Sequence, residues 1–243
     1  MNKKVLIIFF LILFLLLINS LNIFSKNKKI KKINKDKSEN KSLELSLFLS
    51  LPAMLALIIA NEVIVSSLFG YGSFDKTSVR NSAEALLYFS LGLPAFSFIK
   101  IFSSFIFARD NTKIPFYFST ISVLLNIIIS VYYFKELGFI IIPIATSISS
   151  WINSVLLYFY LHKENYFKLN KTLIIQIIRI AISTIIMGLC LQNLISYFDS
   201  QLSFENNYKF IYLFAIVILS ILIYFVVSLI TKAFKLSDIK IKY

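Results

Sequence analysis

Apolar residues fill the whole helical circumference in seven stretches, about 5–24, 45–68, 86–107, 114–134, 139–161, 172–197 and 210–231. A helix rising about 1.5 Å per residue needs about 20 such residues to cross roughly 30 Å of hydrocarbon, and each stretch is near or above that length. Nowhere do apolar and polar positions alternate in short runs broken by turns, which is the pattern an outer-membrane barrel requires. The pattern therefore predicts an all-α, polytopic transmembrane bundle of about seven spans. Pro115 and Pro143 fall near predicted helix starts, where proline is harmless. Pro52 and Pro94 lie deeper, so kinks are expected there.

Composition sharpens this picture. Of 243 residues, 58% are hydrophobic and 15% charged, and mean hydropathy is +0.81. A soluble domain is roughly 45–50% apolar and 25% charged, because a polar surface must cover its core, so this balance points to an integral membrane protein. A single cysteine, Cys190, excludes a disulfide framework and a cysteine-based zinc site. A single histidine, His162, leaves no basis for a His-ligated metal centre or a Ser-His-Asp triad. Walker, GxGxxG and HExxH patterns are absent, as are paired carboxylates for acid–base work, so neither ATP-driven transport nor enzymatic catalysis is expected. Any work would draw on an ion gradient or on the membrane potential, roughly 2.3 kcal/mol per charge per 100 mV.

The net charge of +13 is unevenly placed. Segments 25–42, 108–113, 162–171 and 231–243 hold 17 Lys and Arg residues, whereas 62–84, 135–138 and 198–209 hold only Lys76, Arg80, Lys135 and Lys209. Basic loops stay inside, so the first set and the C-terminus are expected to face the cytoplasm. The first span opens with MNKK and resembles a signal anchor, but no A-x-A cleavage site follows it; alternation with the basic 25–42 segment predicts that its N-terminus lies outside. The lysine run 26–41 reads as a topology determinant, with an anionic-lipid patch worth roughly 1 kcal/mol per Lys as the alternative. Interleaved aromatics are missing, so no nucleic-acid partner is expected. The expected organisation is an N-terminal span (1–24), a basic cytoplasmic loop (25–42), a four-helix region (43–163), and two further helices with a basic tail (164–243).

Between about Lys41 and Lys163 several short motifs occur in a distinctive order. Ser67-Leu68-Phe69-Gly70-Tyr71-Gly72-Ser73-Phe74 is followed by Leu91-Gly92-Leu93-Pro94-Ala95-Phe96 and Lys100-Ile101. Then come Phe107-Ala108-Arg109-Asp110-Asn111-Thr112-Lys113-Ile114-Pro115, Asn126, and Leu137-Gly138-Phe139 leading to the run from Ala145 to Ser154. In order and spacing this resembles the MurJ/MviN family of lipid II flippases, within the superfamily of multidrug and polysaccharide-lipid exporters. The helices over about 172–231 match that family in length and topology alone. The resemblance implies a core of two six-helix lobes plus two extra helices, fourteen spans in all, of which this chain would supply the C-terminal lobe and the extra pair. The span 5–24 takes the place of the family's eighth helix yet holds no charge, and the family's ligand-binding arginines, mostly on the N-terminal lobe, have no counterpart.

Against that background a few polar residues become candidates. Arg109 sits in a short link where Asp110 and Asn111 suit an Asx turn and Thr112 suits a helix cap; it reads as a tight turn with a topology arginine, as a gating contact on the cytoplasmic side, or as a contact to a pyrophosphate headgroup. Lys100 lies nine residues earlier, roughly 13 Å into the membrane at helical rise. It would either snorkel to the interface or neutralise part of a lipid-linked pyrophosphate. Arg179 lies eight residues past Lys171, with Gln176 one turn away; it reads as snorkelling to the interface, or, as the resemblance implies, as bordering a groove for the polyprenyl tail. Lys100, Arg109 and Arg179 are thus the candidate substrate-binding residues. Asn126 and Ser130 share a helix face, with Thr146 on the next helix. Together they form either a polar packing seam or a candidate sodium site, and no other cofactor is expected. Ser130 stands where the family has a carboxylate. Ser147, Ser149, Ser150 and Asn153 read as interhelical packing, and Trp151 as packed between helices.

The resemblance implies the C-terminal half of a probable lipid II flippase in the bacterial cytoplasmic membrane, incomplete on its own, moving lipid-linked peptidoglycan precursor by alternating access. The implied partners are lipid II, membrane lipids and a separately encoded N-terminal half. Two alternatives stand beside it: an exporter of a polysaccharide lipid or of drugs, and a non-transporting remnant or accessory subunit of a split gene.

Overall fold

The structure, a computed structural model, describes residues 33–168 and 170–234. The predicted span 5–24 and the end of the tail lie outside the described residues. Seven α-helices follow in order: α1 (Ile33–Phe69), α2 (Lys76–Ser90), α3 (Leu93–Phe107), α4 (Lys113–Leu137), α5 (Ile141–Lys163), α6 (Lys171–Tyr197) and α7 (Lys209–Ile230), with a 3₁₀ turn over Gly138–Ile140. No strand occurs among the described residues.

Among the described residues, five stretches are long and apolar enough to cross a membrane: Asn40–Phe69, Lys76–Phe107, Lys113–Lys163, Lys171–Tyr197 and Lys209–Ile230. The third, 51 residues long, folds back on itself. Gly138 sits at φ +59°, a left-handed conformation that glycine adopts without steric cost, and it separates α4 from α5. The register confirms a hairpin: Asn126 meets Thr146 and, seven residues back along α4, Ser119 meets Asn153, seven residues forward along α5. Helix α1 is the pivot of the bundle and packs on α2, α3, α6 and α7. It runs antiparallel to α7, with Phe48 near Tyr224 and Ala60 in one cluster with Leu213. It runs parallel to α6, where Gly188 meets Leu55 and Ile59. Helix α4 packs on α5 and little else.

Three local features differ from the sequence expectation. Helix α1 begins at Ile33, so its first turns occupy the end of the segment read as a loop. The stretch expected to cross from 86 to 107 starts at Lys76, where Asp75 caps α2 by accepting a hydrogen bond from the Ser78 amide at 2.8 Å. That bond holds the Asp75 carboxyl below its ordinary range. Pro94, expected to kink a helix, instead lies in the first turn of α3, because the helix is interrupted at Leu91 and Gly92.

Packing follows the logic of a bilayer, where lipid is as apolar as leucine and helices associate through small and polar side chains. Large apolar residues such as Val131 (72% exposed), Tyr132 (74%) and Phe116 (67%) point outward from α4. Serines fill the interior: Ser67, Ser90, Ser147, Ser154, Ser183 and Ser228 are almost wholly buried.

Candidate functional site

The break between α2 and α3 frees backbone carbonyls at membrane depth, where an unpaired one is costly. Helix α5 supplies the donors. Ser147 Oγ donates to the Tyr88 carbonyl at 2.6 Å and, one turn on, Trp151 Nε1 donates to the Leu91 carbonyl at 3.0 Å. Trp151 also meets Phe98 edge-on, with ring centroids 6.1 Å apart. Its packing between helices was legible from its mid-span position; its service to a broken helix was not.

The candidate cation residues form a clamp between α4 and α5. Asn126 Nδ2 donates to Thr146 Oγ1 at 3.0 Å and to Ser149 Oγ at 3.4 Å, while Thr146 Oγ1 donates to the Ile142 carbonyl at 2.8 Å. Ser130 Oγ is buried and makes no hydrogen bond among the described residues. The structure thus joins Asn126 to Thr146 and leaves Ser130 apart. In this arrangement Asn126 turns an N–H to its neighbours. The arrangement makes a neutral polar seam between α4 and α5. Among the described residues no group of three or more His, Cys, Asp and Glu side chains gathers elsewhere.

The three candidate cations lie toward the basic end of the bundle, and no hydrogen bond or ion pair joins them. Arg109 follows α3 and reaches across to the link between α5 and α6. Its guanidinium donates to the carbonyls of Phe105 and Tyr166, the latter at 3.0 Å, and lies 4.5 Å from the centre of the Tyr166 ring. Asp110 beside it takes a left-handed φ of 57°. Asn111, rather than Thr112, caps α4, accepting from the Ile114 amide at 3.3 Å and donating to Tyr160 Oη at 3.0 Å. Lys100 is exposed on α3. Arg179 is half-buried on α6, on the flank where Gln176 donates to the carbonyls of Lys232 and Ala233 and Ser183 hydrogen-bonds Thr231.

An apolar groove of about 590 Å³ runs between α1, α6 and α7, lined by residues that include Pro52, Ala56, Met187, Leu191, Ile216 and Tyr224. Beyond it, at the opposite end from Arg109, sits a residue that sequence reasoning treated as a loop charge. Lys209, fully buried, donates through Nζ to the carbonyls of Gly70 and Phe204, both at 2.8 Å. The same nitrogen lies 4.4 Å from the Tyr71 ring centre and 4.5 Å from that of Phe204. This cage ties the first residue of α7 to the turn that follows α1. Its one sequence signal was a lone lysine at the margin of an apolar span on the charge-poor side.

Comparison with known proteins places this geometry. The family model described as "Lipid II flippase MurJ" matches residues 5–214. A protein of Rhizobium meliloti (strain 1021) named "Probable lipid II flippase MurJ" is 36% identical over 153 residues, which is 63% of this chain and 29% of that protein. One of the same name from Rickettsia prowazekii (strain Madrid E) is 34% identical over 133 residues, 55% of this chain and 26% of its own length. A solved structure titled "Lipid II flippase MurJ, inward closed conformation" superposes with a TM-score of 0.66 at 27% identity, covering 82% of this chain and 40% of that one. The chain therefore spans under a third of the length of these two curated relatives.

Proposed function

We infer, on the premise that this chain belongs to the MurJ family of lipid II flippases, that it contributes one lobe and the two extra helices of a transporter for a lipid-linked peptidoglycan precursor. It is a multi-pass protein of the bacterial inner membrane. The observation that carries the reading is the match of the family model to residues 5–214 together with a superposition limited to 40% of the solved flippase. The groove between α1, α6 and α7 suits the polyprenyl chain of such a precursor, since its walls are almost entirely hydrocarbon. Lys100 and Arg179, on spans near the basic end, are the cations offered to a pyrophosphate at the cytoplasmic leaflet. Arg109, committed to two carbonyls and a ring, would shape the cytoplasmic link beside them. The basic segments and the C-terminus face the cytoplasm, as the distribution of Lys and Arg requires.

Flipping needs more than this lobe. An uncompensated phosphate in hydrocarbon is prohibitively costly, and alternating access requires a second lobe to rock against. The spans described here offer two cations toward one end, so the remaining lobe must come from elsewhere in a longer polypeptide or from a separately encoded N-terminal half. Residues 1–243 alone are expected not to rescue a strain depleted of its flippase, while co-expression with a matching N-terminal half restores growth and clears accumulated cytoplasmic lipid II. Rescue by this chain alone, with a homodimer excluded by crosslinking, would overturn the reading. Normal peptidoglycan with altered surface sugar on loss of the chain would favour a polysaccharide-lipid exporter instead.

A further inference from the structure

A second cavity, of about 360 Å³, opens between α1, α2 and the α6–α7 link, at the end of the bundle away from the basic segments. Its polar walls are Glu62 and Ser66 on one face of α1, Lys76 at the start of α2, and Asp199 beyond α6. Glu62 lies seven residues before the end of α1, about 10 Å into the span at helical rise. A carboxylate at that depth is expensive unless it faces water or a partner, and such residues mark functional sites by default. Neither Glu62 nor Asp199 makes a hydrogen bond or ion pair with any described residue. Ser66, only 7% exposed, lines the same cavity, and its hydroxyl has no hydrogen-bond partner among the described residues. The one cation present, Lys76, is already matched by Glu205 at 3.2 Å. Two carboxylates and a serine side chain thus line one cavity, whose lining cation Lys76 is paired with Glu205 outside it.

The rest of the lining is hydrocarbon: Val63, Val79, Leu202 and the Phe204 ring. A bare metal ion would use none of that surface and would find only two carboxylates. The volume exceeds that of a single ion many times over, at roughly 30 Å³ per water molecule. Phe204 already accepts ammonium groups, with Lys76 Nζ 5.3 Å and Lys209 Nζ 4.5 Å from its ring centre. We propose that this cavity binds an alkylammonium group, with the charged head between Glu62, Ser66 and Asp199 and the carbon stem along Val63, Val79 and Leu202. The group can come from a membrane lipid with an ethanolamine head or from a free amine in solution.

The test uses the full chain, purified in detergent, with 1,5-diaminopentane as the probe and 1,5-pentanediol and matched NaCl as controls. Thermal unfolding followed by tyrosine and tryptophan fluorescence is expected to shift upward saturably with the diamine alone. The half-saturating concentration should rise at least tenfold in Glu62→Gln and in Asp199→Asn, and a few-fold in Ser66→Ala. Both carboxylates are exposed, so the amide variants should unfold at the wild-type temperature without ligand. An equal diamine shift in wild type and both amide variants would overturn the proposal, as would an equal shift from NaCl. Equilibrium dialysis of radiolabelled diamine reads the same outcome without unfolding. Nanodiscs separate the two sources. If the lipid is the natural occupant, phosphatidylethanolamine weakens diamine binding relative to phosphatidylcholine and copurifies with wild type but not with Glu62→Gln. If the diamine binds equally in both bilayers, the source is soluble.

Discussion

Replacing Lys209 by methionine tests the cage around its ammonium. Methionine retains most of the apolar stem and removes the charged head. Two hydrogen bonds to a charged donor are lost, each worth about 1.5–3 kcal/mol, and the carbonyls of Gly70 and Phe204 are left unpaired in a site with no exposed area. Two ring contacts at 4.4 and 4.5 Å go with them, each worth up to about 2 kcal/mol when desolvated. Against this, methionine spares the cost of burying an ion, several kcal/mol after relaxation. Because two carbonyls remain orphaned, the loss is expected to win by about 2–3 kcal/mol. For a chain of this size that lowers the unfolding midpoint by roughly 4–12 °C. Lys209→Arg should also lose stability, because a planar fork does not fit a cage shaped for a compact ammonium. The assay is thermal unfolding in detergent at neutral pH. An unchanged or raised midpoint for Lys209→Met would refute the reasoning and show that the cage returns no more than the desolvation of the charge.

Other perturbations follow from the same geometry. Trp151→Phe leaves the Leu91 carbonyl unpaired and should lose about 0.6–1.7 kcal/mol, the range of hydrogen bonds inside membranes, read as a lowered unfolding midpoint. Gly188→Leu should cost about 1–3 kcal/mol or more through overpacking, because even a Cβ there would lie 2.5 Å from Leu55 Cδ2; a wild-type midpoint would contradict the α1–α6 contact. Asp75→Ala should destabilise α2 at neutral pH: the folded carboxyl titrates below its ordinary value of 3.8, so its contribution is present above that pH and fades as pH falls through the lowered value. Wild type and variant should therefore converge in acid. Cysteines at Ser73 and Gln201 should react with an impermeant thiol reagent in intact cells lacking Cys190, and those at Asn111 and Ser237 should not; the reverse pattern would invert the orientation.

The spans were legible because a helix that is apolar all round has one stable home: five of the expected stretches lie on single described helices, and a sixth, 86–107, is split between α2 and α3. The ends were less legible. The charged residues before Leu43 are good helix formers, so nothing in the sequence stops α1 from starting at Ile33. The interruption at Leu91 and Gly92 depends on donors from Ser147 and Trp151, some 60 residues away, and no local pattern encodes them. The clamp at Asn126 and Thr146 was visible as two polar positions on neighbouring helices, but the direction in which the amide points is set by the packed pair. Arg109 stood out as a charge; its partner Tyr166 lies in a loop whose path is fixed only once α5 and α6 are docked. Lys209 and Glu62 were passed over because charge counting assigns them to a side, not to a cavity.

The dependence of α4 on a single neighbour bears on how the protein enters the membrane. Emerging alone, α4 would bring Ser119, Ser122, Asn126 and Ser130 into lipid along one face with nothing to meet them. Once α5 follows, Thr146, Ser149 and Asn153 cover that face in register. The two helices are therefore expected to enter the membrane together, as one hairpin closed at Gly138. A lesion that lengthens or stiffens that turn would strike during synthesis, as degraded nascent chain, before any finished protein existed to be unstable.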